Sequence, residues 1–264
     1  MLMEVRKNIK LIFLCFKYNL LRAMDNRISF FGKVFGMILN NAIMIVQWVV
    51  LFSLKDNIGG YGFKDVVLLW AFASETFGIS RAFFGNAFDL SQLIYMGKLD
   101  AFLVQPKDTL TYVSVSNSSI SALGDILYGY ILLIILKASP LTWLLFTILS
   151  ICGGLILTSV SVIWHSLSFR FQNAEDVATI VNNNMINLGT YPNGIFTPEI
   201  KWLLLTLLPV SLTIHLPIEI VKSFDIKLFL VILGATLFFI IFAFIIFRKG
   251  LKKYSSSNLV SARI

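Results

Sequence analysis

The chain has 264 residues, 57% of them hydrophobic and only 14% charged, with a formal net charge of +8 and a mean hydropathy of +0.82. Soluble domains carry about 25% charged residues, so this composition excludes an ordinary soluble enzyme and implies a polytopic membrane protein. Two cysteines (Cys15, Cys152) and two histidines (His165, His215) rule out a disulfide framework and give no metal-ligand pattern.

Residues 4–25 have a helical period but too many charges to cross a bilayer. At about 100° per residue, Val5, Ile9, Ile12, Phe13, Phe16 and Leu20 share one face. Arg6, Lys10 and Lys17 flank it, and Lys7, Arg22 and Asp25 lie opposite. Such an amphipathic helix is expected in the membrane interface, held by apolar burial and anionic lipid. The alternative is packing on the chain's own inner loops. The basic start is followed by no cleavable signal pattern, so the first span is expected to act as the insertion signal.

A spanning helix needs roughly 20 mainly apolar residues. The hydropathy predicts spans over 28–54, 65–88, 113–137, 141–169, 177–190 and 226–247. These long, unalternating runs exclude a barrel and leave an all-α fold. Short connectors fall at 55–64 and 138–140. The longest polar interruption is 96–112, MGKLDAFLVQPKDTLTY, and a basic tail occupies 248–264. No soluble domain or internal repeat is evident.

Charge orients the chain. Arg6, Lys7, Lys10, Lys17, Arg22, Arg27, Lys98, Lys107, Arg170 and the tail cations Arg248, Lys249, Lys252, Lys253 and Arg263 fall on one side. They outnumber Lys55, Lys64, Lys137, Lys201, Lys222 and Lys227 on the other. The positive-inside rule therefore predicts that both termini are cytoplasmic. Cytoplasmic termini need an even number of crossings, so 177–220 is expected to cross once, with a re-entrant or interfacial excursion over 191–220. Pro192, Pro198, Pro209 and Pro217 cluster there, and proline breaks or kinks helices. A merely kinked span with a surface loop is the plainer alternative.

Ionisable groups inside spans are costly and mark functional candidates. Glu75 and Arg81 fall in the second span and Asp125 in the third. An Arg81–Asp125 ion pair is one reading, and a substrate or proton contact the other. Asn182, Asn183, Asn184 and Asn187 make the fifth helix polar. Such amides either join helices or line a path, for which Asn183 and Asn187 are the candidates beside the three charged groups. The chain has no phosphate-cradling GxxxxGK[ST] loop, HExxH or GxSxG. Catalysis by this chain alone is not expected, and neither is nucleic-acid binding.

Three segments in order resemble one known family. GKLDAFLVQP (Gly97–Pro106), YPNGIF (Tyr191–Phe196) and FRKGLKKYSSSN (Phe247–Asn258) are similar to elements of the bacterial type-2 ATP-binding-cassette (ABC) exporter permeases, in the branch carrying Tyr-Pro-x-x-Ile-Phe. Gln105 and Lys107 depart from the pattern, where a basic residue before the proline and an apolar one after it would be expected. The resemblance covers nearly the whole chain. It implies an N-terminal interface helix, six spans, a cytoplasmic coupling helix between spans two and three, and a re-entrant helix pair, with Tyr191, Pro192 and Phe196, between spans five and six. It also implies a second permease subunit, identical or a sister, and a separate ABC ATPase that hydrolyses ATP, so that no cofactor binds this chain directly. The setting would be the bacterial plasma membrane.

On that reading Leu99, Phe102 and Leu103 share a face of a short helix and form a knob for the ATPase. Gly97 stops the preceding span, Asp100 caps or pairs, and Pro106 ends the helix. The plainer alternative is a loop whose apolar residues tuck back onto the bundle. Two further functional readings stand beside it: a membrane enzyme or assembly factor using Asp125 and Glu75, and an ATPase-independent carrier or channel. The residues leave the cargo open among amphiphilic compounds, drugs, peptides and lipids.

Overall fold

The computed structural model describes residues 2–171 and 174–254, with side chains from Arg6 onward. Residues 255–264 of the expected tail, including the end of its YSSSN motif, lie outside the described residues. Among the described residues the only β feature is one bridge, Ile58 to Tyr61; all else regular is helical.

Helix α1 (Leu2–Met24) precedes α2 (Arg27–Leu54), whose start is capped by Asn26, accepting from the Ser29 amide at 3.0 Å. α3 (Phe63–Phe84) follows the glycine-rich turn. Its 22 residues extend about 33 Å, enough for a hydrocarbon core of about 30 Å. A 3₁₀ turn (Gly85–Phe88) then leads to the short α4 (Leu90–Tyr95), α5 (Asp100–Leu103) and α6 (Thr109–Val115).

The helix expected over 113–137 is divided. Val113–Val115 end α6, residues 116–121 are irregular, and α7 runs Ala122–Ile135. The reason is local polar chemistry. Ser and Asn side chains offer the backbone alternatives to a helix, and here the neighbouring span accepts them. The Gly85 amide donates to Asn117 O (3.1 Å), the Ser119 amide to Arg81 O (3.0 Å), and Asn86 Nδ2 to Ser116 Oγ (2.6 Å). The break is thus stitched to the end of α3.

α8 (Pro140–His165) has Ser139 as its cap and ends in a 3₁₀ turn (Ser166–Phe169). α9 is Ala174–Gly189. α10 (Pro198–Thr206) meets the π-helical turn Ser211–His215 and α11 (Leu216–Lys222) at 83°, with Pro209 in the break. α12 (Ile226–Leu251) closes the described chain, capped by Asp225.

By length and composition α2, Phe63–Tyr95, Pro140–Phe169 and α12 can each cross a membrane, and the bent pair α10/α11 passes the same test jointly. α3 is the central helix, packed between α7 and α8, with Phe72 against Phe146 at 4.7 Å. α2 and α12 are peripheral, and apolar residues such as Phe35, Ile43, Leu237 and Ile241 remain exposed on them.

Candidate functional site: an elbow at the basic end and a polar interior

The polar interruption at 96–112 folds as an elbow. α4 closes with a positive-φ glycine, Gly97 (φ +68°). The Lys98 amide donates to Leu93 O (3.0 Å) and the Gly97 amide to Ile94 O (3.2 Å), the two bonds of a Schellman stop. A side chain at position 97 would be strained in this left-handed conformation, so the sharp exit depends on glycine. α5 is a single turn and ends at Leu103, three residues before Pro106.

The expected triplet does not present one outward face. Leu99 is fully buried and belongs to the main core. Phe102 is half-buried, edge-on to Tyr112 at 5.3 Å. Leu103 is 41% exposed and its neighbour Val104 80%. Leu99 caps α5 from the core side, whereas Leu103 and Val104, at the far end of the turn, face outward. Tyr95 and Met96 extend the exposed apolar surface.

The elbow is tied to the end of α12. Arg248 Nη2 donates to Asp108 Oδ2 at 3.1 Å. Asp108 also caps α6, its Oδ1 accepting from the Thr111 amide (2.9 Å). Phe169 lies between Phe247 (5.6 Å) and Tyr254 (6.2 Å), and a Cβ at Gly250 would enter its ring. The spacing of Phe247, Gly250 and Tyr254 is therefore that of a cradle for Phe169. The Tyr254 hydroxyl lies by Asp100; burial and then that carboxylate push its pKa to about 12. α1 reaches the same end: Phe16 stacks on Phe83 at 4.5 Å, and Asn19 Nδ2 donates to Val115 O (3.3 Å) and Ser118 Oγ (3.1 Å). Its packing on the chain's own loops is real, while Ile9 and Phe13 keep an exposed apolar side.

In the interior, Glu75 and Asp125 are buried, on α3 and α7 respectively. Asp125 Oδ1 accepts from Asn41 Nδ2 of α2 at 2.6 Å. A Cβ at Gly129 would lie 2.8 Å from Glu75 Oε2, so the glycine makes room for the carboxyl group. Among the described residues, Asp125 Oδ2 and Glu75 Oε2 have no hydrogen-bond partner. The Arg81–Asp125 ion pair is not formed: Arg81 instead places its guanidinium 4.2 Å from the Phe88 ring centroid and 5.6 Å from that of Phe77. Both acids sit in helix interfaces, with almost no accessible surface.

On α9, Asn183 and Asn187 are exposed while Asn182 is buried. Asn182 was not among the path residues expected from sequence. Its Nδ2 lies 3.1 Å from Ser161 Oγ and 3.3 Å from His165 Nε2. His165 Nδ1 contacts Ser91 Oγ (2.7 Å), to which Ser168 Oγ donates (2.7 Å). This cluster joins α4, α8 and α9. The spacing of Ser161, His165 and Ser168 (i, i+4, i+7) was the available signal, since residues so spaced share a helix face.

The segment from Tyr191 to Lys222 leaves and rejoins the bundle at one end. Tyr191 packs on Trp48 (6.0 Å), and Gly194 is pressed against Gly59 so closely that no Cβ fits. At its other limit, Lys222 Nζ pairs with Asp65 Oδ1 at 2.9 Å. All these partners flank the α2–α3 turn. Between them His215 Nε2 donates to Tyr191 O (3.1 Å), and the Phe196 ring lies 6.4 Å from the imidazole. Pro192 starts the 3₁₀ turn Asn193–Ile195.

A family model described as ABC-2 family transporter protein matches residues 38–258, which take in the elbow, the polar interior and the α12 cradle. No curated protein and no solved structure matches the chain.

Proposed function

Because the chain belongs to the ABC-2 family of transporter proteins, we propose that it is the membrane-spanning permease subunit of an ATP-driven exporter whose ATP is hydrolysed by a separate ABC ATPase. The observation that carries this reading is the elbow: an exposed apolar tip, Leu103 and Val104, on a base fixed by buried Leu99. Docking of the ATPase on that tip would transmit its ATP-driven closure as a rigid-body movement. The base hands the displacement to α3 and, through Arg248–Asp108 and the Phe169 cradle, to α12.

The functional unit is two permease subunits with two ATPases, in a bacterial plasma membrane with both termini cytoplasmic. Six crossings (α2, α3, α7, α8, α9, α12) satisfy the charge asymmetry. The excursion 191–222 is then re-entrant; its return to the α2–α3 turn supports this. The legs of the bent pair, 9 residues in α10 and 7 in α11, extend only about 14 Å and 11 Å, and the 83° bend between them keeps them from adding up to a straight crossing of about 30 Å. α7 and α9, with 14 and 16 residues, are longer at about 21 Å and 24 Å and would complete a crossing with the segments that flank them. Cargo is an amphiphile, drug, peptide or lipid. The burial of Glu75 and Asp125 leaves no surface for a substrate in this conformation, which weighs against the enzyme reading.

The test is purification of the complex. The chain alone should hydrolyse no ATP, and an ATPase should co-purify with it. Leu103→Asp with Val104→Asp should release the ATPase while the permease elutes unchanged from gel filtration. Retained partner binding and transport in that variant would sink the docking assignment.

A further inference from the structure

Two adjoining cavities lie along α1 and α12, the first against the elbow and the second against α6 and α8. The first, of about 710 Å³, is lined by Lys7, Lys10, Lys107 and Arg248, with Asp108 as its one carboxylate among the described residues. That carboxylate is already engaged by Arg248 and by the start of α6, so the lysines leave an excess of positive charge. The second, of about 420 Å³, is apolar, with Ile9, Ile12, Phe84, Leu155, Val162 and Ile240 among its walls. Asn8 and Phe244 line both, so the cavities meet. Three hydroxyls along the slot are spent internally: Thr158 donates to Gly154 O and Ser159 to Leu155 O, each at 2.7 Å, and Thr111 to Asp108 Oδ1 at 2.9 Å.

A cationic mouth above a dry slot fits a molecule with an anionic head and a hydrocarbon chain. Both volumes fall within the usual range for ligand sites, about 300–1,000 Å³. We infer that this is a discrete binding site for an anionic phospholipid of the surrounding bilayer, its phosphate among Lys7, Lys10 and Lys107 and one acyl chain in the slot. Charge complementarity selects this occupant. Basic residues near a membrane surface attract acidic lipids, whereas a second copy of this chain carries a net charge of +8 and would bring like charge to the mouth. The exposed apolar side of α1, with Ile9 and Phe13, continues the slot outward to where lipid would enter. The inference rests on the chain lying in a bilayer and does not require the ATPase.

The test uses the full chain reconstituted in vesicles of equal phosphatidylglycerol and phosphatidylcholine, extracted in mild detergent and weighed intact by native mass spectrometry. One phosphatidylglycerol should be retained in preference to phosphatidylcholine. Lys7→Gln/Lys10→Gln/Lys107→Gln, all exposed positions, should cut that preference by about tenfold or more. Ile240→Trp, which fills the slot, should cut retention of both lipids. Equal retention of the two lipids, or a preference untouched by the triple substitution, overturns the inference. So does a non-phospholipid adduct that phosphatidylglycerol cannot displace, which would mark the cavity as a cargo site. A cross-link from Lys107 into the chain's own end or a second copy that survives lipid addition also overturns it. ATPase co-purification is scored separately: lipid retained without an ATPase sinks only the transporter reading, and an ATPase without lipid sinks only this one.

Discussion

Glycine to alanine should have opposite signs at two helical positions. In an isolated helix the change is favourable by about 1 kcal/mol. At Gly234, on the exposed side of α12, an added Cβ meets nothing within 4 Å. The gain should survive there, raising the apparent melting temperature by about 2–4 °C. At Gly124, at the start of α7, the Cβ would collide with the Val34 carbonyl oxygen and lie 2.8 Å from Met37 Cβ. A helix backbone cannot rotate away as a side chain can, so α2 must move. Overpacking of this kind costs about 1–3 kcal/mol. The obstacle is backbone, which places the cost near the upper end, and the net loss is about 2 kcal/mol after the propensity gain. Displacing α2 also lengthens the 2.6 Å Asn41–Asp125 bond. The apparent melting temperature should fall by about 4–8 °C, read by tryptophan fluorescence in detergent. Equal shifts at the two sites, or a neutral Gly124→Ala, would refute the α2–α7 packing described above.

Leu99→Ala should cost about 2–5 kcal/mol, the range for emptying a filled core site, whereas Val104→Ala, at 80% exposure, should leave the melting curve within about 0.5 kcal/mol of the parent; the same thermal assay compares them. Asp125→Leu should destabilise more than Asp125→Asn, by about 1–3 kcal/mol, because leucine strands the buried Asn41 amide while asparagine can still accept from it; equal melting temperatures would show that the bond contributes nothing. Tyr254, with its pKa pushed up to about 12, should stay protonated in the folded chain beyond about pH 10, where an ordinary tyrosine loses its proton. A raised acid pKa in the folded state means the unfolded chain loses its proton first, so its contribution should fall only as pH rises from about 10 to 12. Tyr254→Phe should flatten that alkaline limb in a pH series of melting temperatures.

Much of the elbow's chemistry was legible as residue types, but not as directions. Gly97 announces a helix stop because a left-handed residue there needs no Cβ, and the structure has that stop. Leu99, Phe102 and Leu103 share a helix face in any sequence-based account, yet a one-turn helix lying on a bundle divides such a face between inside and outside. The same limit applied to Asn182 and Asn183, adjacent in sequence and opposite in burial. The break at 116–121 was written in its serines, but hydropathy averages over a window and hides a short polar stretch between apolar runs.

The sequence by itself determined the class: an all-helical chain that dissolves in lipid. Transfer from water to hydrocarbon is close to a sum over residues, and composition reports that sum. Its proline cluster and its basic segments likewise act locally, on backbone and on charge. Only the tertiary structure decided which groups meet: Asn41 with Asp125, Phe169 with the α12 cradle, Gly194 with Gly59, and Lys107 of the elbow with Lys7 and Lys10 of α1 around one cavity. Those contacts join residues far apart in the chain, and their free energy depends on geometry between helices that no local pattern encodes.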